Sequence, residues 1–201
     1  MYLYGASGHA KVIIDSLVAS NQLITGLFDD NSEIKTLLKY PVFGPFNSDI
    51  LGSDLLILSI GSNITRKMIA QKLPDSIKYG KAIHPNAIIS DYCEIKSGTV
   101  VMQGAVIQSC AQIGHHSIIN TAASVDHDCI IEDFVHISPN ATLCGNVTVG
   151  QGSQIGAGAV VVPGIKIGKW SIVAAGSVVL RDVPDNVLVL GNPARVIKHI
   201  E

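Results

Sequence analysis

From Ile83 to Val179 every sixth residue is Ile, Val or Leu, without a break. Two positions before each of these the residue is usually small, as at Ala105, Ala123, Ala141, Ser153, Ala159 and Ser177. A period of six fits neither a helix nor a single long strand. It describes a solenoid of short strands and corners, three hexapeptides to a coil, with one large and one small side chain of each hexapeptide turned inward. The all-β run covers 81–180 and makes between five and six coils. A prism this narrow leaves aliphatic residues on its flat sides, which predicts an oligomer with threefold closure.

Residues 1–80 follow a different pattern. Tyr2–Tyr4 is a short apolar strand and Gly5-Ala6-Ser7-Gly8 a turn. His9–Ala19 carries Val12, Ile13 and Leu17 at helical spacing, and Ile24–Phe28 is a second strand ending in Asp29-Asp30. Leu55–Ile60 is a third apolar run, followed by Gly61-Ser62 and a helical pattern over Asn63–Leu73. Strands alternating with helices predict a small parallel, Rossmann-like α/β unit. Residues 181–201, with Pro184 and Gly191-Asn192-Pro193, read as a cap over the open end of the solenoid.

Composition narrows the possible functions. The formal net charge is −2, only 15 % of residues are charged, and no Lys/Arg run occurs, which argues against nucleic acid as a partner. No apolar run reaches a membrane span and no secretory leader is read at the N-terminus, so no membrane insertion and a cytoplasmic setting are expected. The four cysteines form no C-x-x-C pair, and Cys93 and Cys129 fall at the small inward position, as reduced thiols packed like small hydrophobes.

The densest polar cluster of the solenoid is Ser124-Val125-Asp126-His127-Asp128. Val125 sets the register, so His127 lies at a corner, free to face a groove between subunits. An imidazole beside a carboxylate is what a general base needs near neutral pH. A solvated turn histidine between solubilising aspartates fits the same composition. His115 and His116 follow Ile113, and His136 precedes Ile137 and so points away from the interior. Several solenoid histidines raise a zinc site, as in hexapeptide-repeat carbonic anhydrases, although the spacing is not a metal signature. Gly5-Ala6-Ser7-Gly8-His9 follows a strand and opens a helix, a place suited to phosphate. It lacks the G-x-G-x-x-G spacing, so NAD is rejected and a nucleotide diphosphate is kept. Asp29 and Asp30 end the second strand, where carboxylates of such folds bind a ribose or base edge.

In order along the chain, Tyr4-Gly5-Ala6-Ser7-Gly8-His9-Ala10, Phe28-Asp29-Asp30, Ile60-Gly61-Ser62-Asn63, Ile119-Asn120-Thr121 through Asp126-His127-Asp128, Gly145-Asn146-Val147 and Gly191-Asn192-Pro193-Ala194 resemble the NeuD-type sugar O/N-acetyltransferases. These are left-handed β-helix acyltransferases, and the group includes bacterial enzymes that N-acetylate nucleotide-linked 4-amino sugars. The resemblance covers essentially the whole chain. It implies His127 as catalytic base, Asp128 as the acidic residue beside it (often Glu in the family) and Asn120 near the amine or acetyl group. It implies acetyl-CoA contacts at His136, Ala157 and Ala175, while Gly145, one coil beyond His127, is expected to offer an oxyanion N–H. Ser7, Gly8, His9, Asp29, Asp30 and Gly61 match nucleotide-sugar contacts. A homotrimer with sites between subunits, acetyl-CoA as co-substrate and no metal complete the expectation, with the product entering a bacterial surface glycan such as lipopolysaccharide. The residues do not choose among UDP, dTDP and GDP. Sugar O-acetylation, a zinc enzyme and a non-catalytic scaffold are the competing readings.

Overall fold

The computed structural model describes residues 1–200. The N-terminal unit opens with β1 (Tyr2–Tyr4), α1 (Gly8–Ala19) and β2 (Gly26–Phe28). A two-residue hairpin, β3 (Thr36–Leu37) and β4 (Tyr40–Pro41), and the single turn α2 (Ser48–Leu51) come next, then β5 (Leu56–Leu58) and α3 (Asn63–Lys72). The sheet is parallel in the order β2-β1-β5. Strands and helices thus fall where the apolar runs place them, within a residue or two. The hairpin and α2 are additions. Each is too short to carry a period, and the hairpin turns on Leu38 in a left-handed conformation.

From Ala82 to Val179 the chain winds as a parallel left-handed β-solenoid with three sides. The first side stacks Ala82–Ile83, Val100–Val101, Ile118–Ile119, His136–Ile137, Gln154–Ile155 and Ile172–Val173. The second stacks six strands from Ile88–Ile89 to Val178–Val179, and the third stacks five from Glu94–Ile95 to Lys166–Ile167. The sixth-residue aliphatics from Val101 to Val179 are at most 2 % exposed. Ala105, Ala123, Ala141 and Ala159 fill the narrow spaces between them. Serines at the same small position donate to corner carbonyls, Ser117 to Glu132 at 3.0 Å and Ser171 to Pro184 at 2.7 Å, so a hydroxyl is tolerated inside. Beyond Val179, Val183, Val187 and Val189 close the interior, and the strands Val187–Gly191 and Ala194–His199 pair as an antiparallel hairpin on the first side.

The two parts share a core. Ala10, Ile13, Ile14 and Leu17 of α1 pack on Leu3, Leu27 and Ile57 on one flank and on Ala82, Val100, Met102 and Ile118 of the first side on the other. The buried stripe of α1 therefore differs from the Val12–Ile13–Leu17 set read from spacing, and Val12 is half-buried at its margin. The second side stays bare. Its outward residues are Ile88, Val106, Ser124, Thr142, Val160 and Val178, with no charge among them and Ile88 68 % exposed. The third side places Glu94, Gln112, Thr148 and Lys166 outward together with Ile130, and so carries charges that the second side lacks. Among the described residues no helix is long and apolar enough to cross a membrane.

Candidate active site

His127 stands at the corner between the second and third sides. The corner turns because Asp128 adopts a left-handed backbone (φ 59), which Asp tolerates better than most side chains. That turn brings Asp128 Oδ2 to 2.8 Å from His127 Nδ1, so an aspartate reaches the imidazole without the length of a glutamate. Asp126 Oδ1 accepts from the His127 backbone N–H at 2.7 Å. The Asp128 hydrogen bond, then the Asp126 charge, raise the histidine pKa above its ordinary value. With Nδ1–H held by a carboxylate, Nε2 keeps its lone pair toward solvent.

Gly145 lies one coil on along the same edge, and Asn146 N–H donates to the His127 carbonyl at 2.9 Å. A Cβ on Gly145 would sit 2.6 Å from His127 Cε1 and Nε2, so the imidazole rests on a residue that must lack a side chain. The Gly145 N–H has no protein acceptor among the described residues.

A second cluster forms where the N-terminal unit docks on the first side. Asn120 Nδ2 lies 3.0 Å from His136 Nε2. His9, at the start of α1, places its ring 6.5 Å from that of His136. Burial, then the nearby Arg66 charge, push His9 down to about 4 and His136 down to about 3. His136 points away from the solenoid interior, as alternation requires, yet it is covered by the N-terminal unit.

Ser7 and Gly8 are exposed at the N-terminus of α1, and Ser7 makes no side-chain cap there. Asp29 accepts from Ala6 N–H at 2.6 Å and from Asn31 N–H at 2.8 Å, so its carboxylate shapes the turn that presents the helix. Asp30 accepts from the Tyr4 hydroxyl at 2.7 Å, and burial followed by the Asp30 bond raises the Tyr4 pKa. Ala157 and Ala175 are exposed on the edge between the first and second sides, stacked through Gly176 N–H to Ala157 C=O at 2.9 Å. Asn120 lies on that same edge.

The expected residues therefore fall into two groups: His127, Asp128 and Gly145 on one edge, and Asn120, His136, His9, Gly61, Ala157 and Ala175 at the docking seam and the neighbouring edge. The bare second side separates them within one chain. His116 is not a surface histidine. It is 6 % exposed, stacked on Phe134 at 5.1 Å and edge-on to Tyr79 at 4.3 Å, because the N-terminal unit covers its corner. His115, His127 and His136 sit on different corners or sides, and among the described residues no group of three or more His, Cys, Asp or Glu could hold a metal. Sequence reasoning passed over Arg66 and Tyr4. The available signal for Arg66 was a charged residue on the face of α3 where Asn63, Ala70 and Leu73 turn inward.

The fold and these groups define a hexapeptide-repeat acyltransferase. The PglD N-terminal domain family matches residues 1–73, and the bacterial transferase hexapeptide family matches 128–163 and 146–181. A perosamine N-acetyltransferase from Caulobacter crescentus, solved with CoA and GDP-perosamine, is 38 % identical with a TM-score of 0.94, covering 98 % of this chain and 96 % of that one. The acetyltransferase domain of PglB from Neisseria gonorrhoeae, solved with acetyl coenzyme A, is 34 % identical with a TM-score of 0.89, covering 98 % of each. A 2,3,4,5-tetrahydropyridine-2,6-dicarboxylate N-acetyltransferase of Alkaliphilus metalliredigens is 45 % identical over 59 % of this chain and 54 % of its own length. The chain spans about half the length of the first curated relatives it matches. It belongs to the NeuD-type nucleotide-sugar acetyltransferase family.

Proposed function

We propose that this chain is an acetyl-CoA-dependent N-acetyltransferase for the 4-amino group of a nucleotide-linked amino-deoxysugar, acting in bacterial surface glycan synthesis. It works as a homotrimer whose sites lie between subunits. The observation that carries this reading is the split of the site: a His–Asp pair on one edge, a polar seam by the neighbouring edge, and between them a charge-free side. Closing three such sides on one another sets the His127 edge of one copy against the Asn120, Ala157 and Ala175 edge of the next. The ligands of the Caulobacter and Neisseria relatives support the two substrates.

In this arrangement the turn at Ser7–Gly8 and the N-terminus of α1 receive the diphosphate, and His9, Gly61, Asp29 and Asp30 frame the nucleotide sugar. The amine attacks the thioester carbonyl of acetyl-CoA, whose pantetheine arm runs along Ala157 and Ala175. His127 Nε2 takes the amine proton as the C–N bond forms, and Asp128 stabilises the imidazolium. The Gly145 N–H faces the developing oxyanion. Collapse breaks the C–S bond, and the proton held by His127 passes to the CoA thiolate. The four cysteines are free thiols, in keeping with a cytoplasmic setting.

The test is CoA release, followed with a thiol reagent, from acetyl-CoA plus UDP-, dTDP- and GDP-linked 4-amino-6-deoxysugars, with a sialic acid as hydroxyl control. Release with an amino sugar is expected. Release only with the hydroxyl control would replace N- by O-acetylation, and silence across the panel would refute the reading.

A further inference from the structure

The His127 corner continues as a column toward the capped end of the solenoid. His127, Gly145, Pro163 and Arg181 each stand two residues beyond the stacked inward residues Val125, Leu143, Val161 and Val179. Arg181 therefore lies three strand spacings from His127, roughly 14 Å along the axis. Between them the corners Cys144-Gly145-Asn146 and Val162-Pro163-Gly164 carry no charge. The edge of Asn120 is as neutral, through Ser138-Pro139-Asn140 and Gly156-Ala157-Gly158 to Ala174-Ala175-Gly176. Past His127, Arg181 is thus the first charged side chain along either edge.

Arg181 has company. Arg195, on the last strand, lines with it a hollow of about 170 Å³ at the end of the solenoid, together with Val179, Val189 and Ala194. Both arginines are exposed, and neither forms an ion pair among the described residues. Arg195 Nη1 donates to the Ala194 carbonyl at 2.9 Å. Asp182 also lines the hollow, with one oxygen taken by the Lys166 N–H at 2.8 Å. Two cations against one carboxylate leave the hollow positive, and a guanidinium fork matches phosphate oxygens in pairs.

The spacing fits one ligand. Acetyl-CoA has an uncharged pantetheine arm that ends in phosphates. About thirteen bonds separate its sulfur from the nearer phosphorus, a reach of roughly 15 Å when extended. With the thioester at His127 and the arm along the neutral edges, the diphosphate arrives level with Arg181.

We propose that Arg181, backed by Arg195, is the phosphate-reading end of the acetyl-CoA groove, and that it makes the chain select a CoA thioester over a phosphate-free one. The placing of the thioester at His127 rests on the proposed function.

Calorimetry on the intact protein tests it with acetyl-CoA and with S-acetylpantetheine, which keeps the arm and lacks every phosphate. No amino sugar is needed. Wild type should prefer acetyl-CoA by about tenfold or more. Arg181→Ala should weaken acetyl-CoA binding about 10–100-fold, as expected for lost charged hydrogen bonds, with S-acetylpantetheine within about twofold. Arg181→Lys should recover only part, since the charge returns without the fork. The double variant with Arg195→Ala should bind the two thioesters about equally. Where the phosphate-free thioester binds too weakly to measure, salt decides: acetyl-CoA affinity should fall with ionic strength in wild type and much less in Arg181→Ala. Equal loss for both thioesters, loss for neither, a wild type without preference, or an unchanged salt dependence would overturn the proposal. The expected binding pattern beside a silent sugar panel would sink the acceptor named in the proposed function and leave the phosphate subsite standing.

Discussion

The corner edge and the docking seam use the same side chain for opposite ends. His127 is exposed, flanked by Asp126 and Asp128, and raised in pKa. His9, His116 and His136 are covered where the two parts meet, lie near the buried Arg66, and are pushed down to about 4, 4 and 3. The exposed imidazole is kept in water beside carboxylates, which favour its charged form. The covered imidazoles are kept out of water beside a cation, which favours their neutral form. Location relative to the seam, not residue type, decides which of the two a histidine is.

The largest effect should come from removing the exposed histidine. His127→Ala is expected to lower kcat roughly 10²–10⁴-fold, the usual range for loss of a general base, with acetyl-CoA affinity by calorimetry nearly unchanged. Near-full turnover would erase the distinction between the two environments.

The buried histidines should instead appear in stability against pH. Their folded pKa values lie below that of a free imidazole, so between about pH 6.5 and 4 the unfolded chain binds more protons than the folded one. Stability is therefore full above that window and falls on acidification, by about 2 kcal/mol per histidine at pH 5. His116→Phe sharpens the point, since Phe134 already holds the same left-handed backbone one coil on. Denaturant melts at pH 7 and pH 5 should lose about one such increment of pH dependence in that variant. An unchanged slope would show that His116 is not held neutral.

Gly145→Ala intrudes on the His127 ring from below. It should cut turnover about tenfold or more by displacing the base, with the melting midpoint little altered because the change is confined to one corner. Wild-type kinetics in this variant would mean the ring has another resting place. The smallest effect is expected for Asp128→Asn. It removes the largest cause of the raised His127 pKa, so the acid limb of the kcat/KM profile should move to lower pH. Movement to higher pH would contradict the role given to Asp128.

The solenoid is legible in the sequence because each coil repeats one demand, a large aliphatic and a small residue facing inward, and that register alone puts His127 at a corner. β1, α1, β2, β5 and α3 were legible from apolar runs bounded by glycine and serine. What was not legible depends on docking. His116 occupies a solenoid corner, and Tyr79 of the N-terminal unit, together with Phe134 one coil on, packs its ring into the core. Arg66 looks like one more helix cation until the His116 and Phe134 carbonyls, distant in sequence, close around it. The αL corner that lets Asp128 meet its own neighbour is likewise a matter of backbone turn rather than of spacing.

The central claim is that one site is assembled from the edge of one copy and the seam of the next. The direct measurement mixes His127→Ala with Asn120→Ala protein under conditions of subunit exchange, with exchange followed by native mass spectrometry of tagged chains, and assays the mixture with the amino-sugar nucleotide the panel identifies. Each variant alone should be poorly active. In a randomly mixed cyclic trimer about a quarter of the interfaces join an intact His127 edge to an intact Asn120 seam, so activity should rise to about that fraction of wild type. Exchanged trimers no more active than the separate variants would contradict the account and place the whole site within one chain.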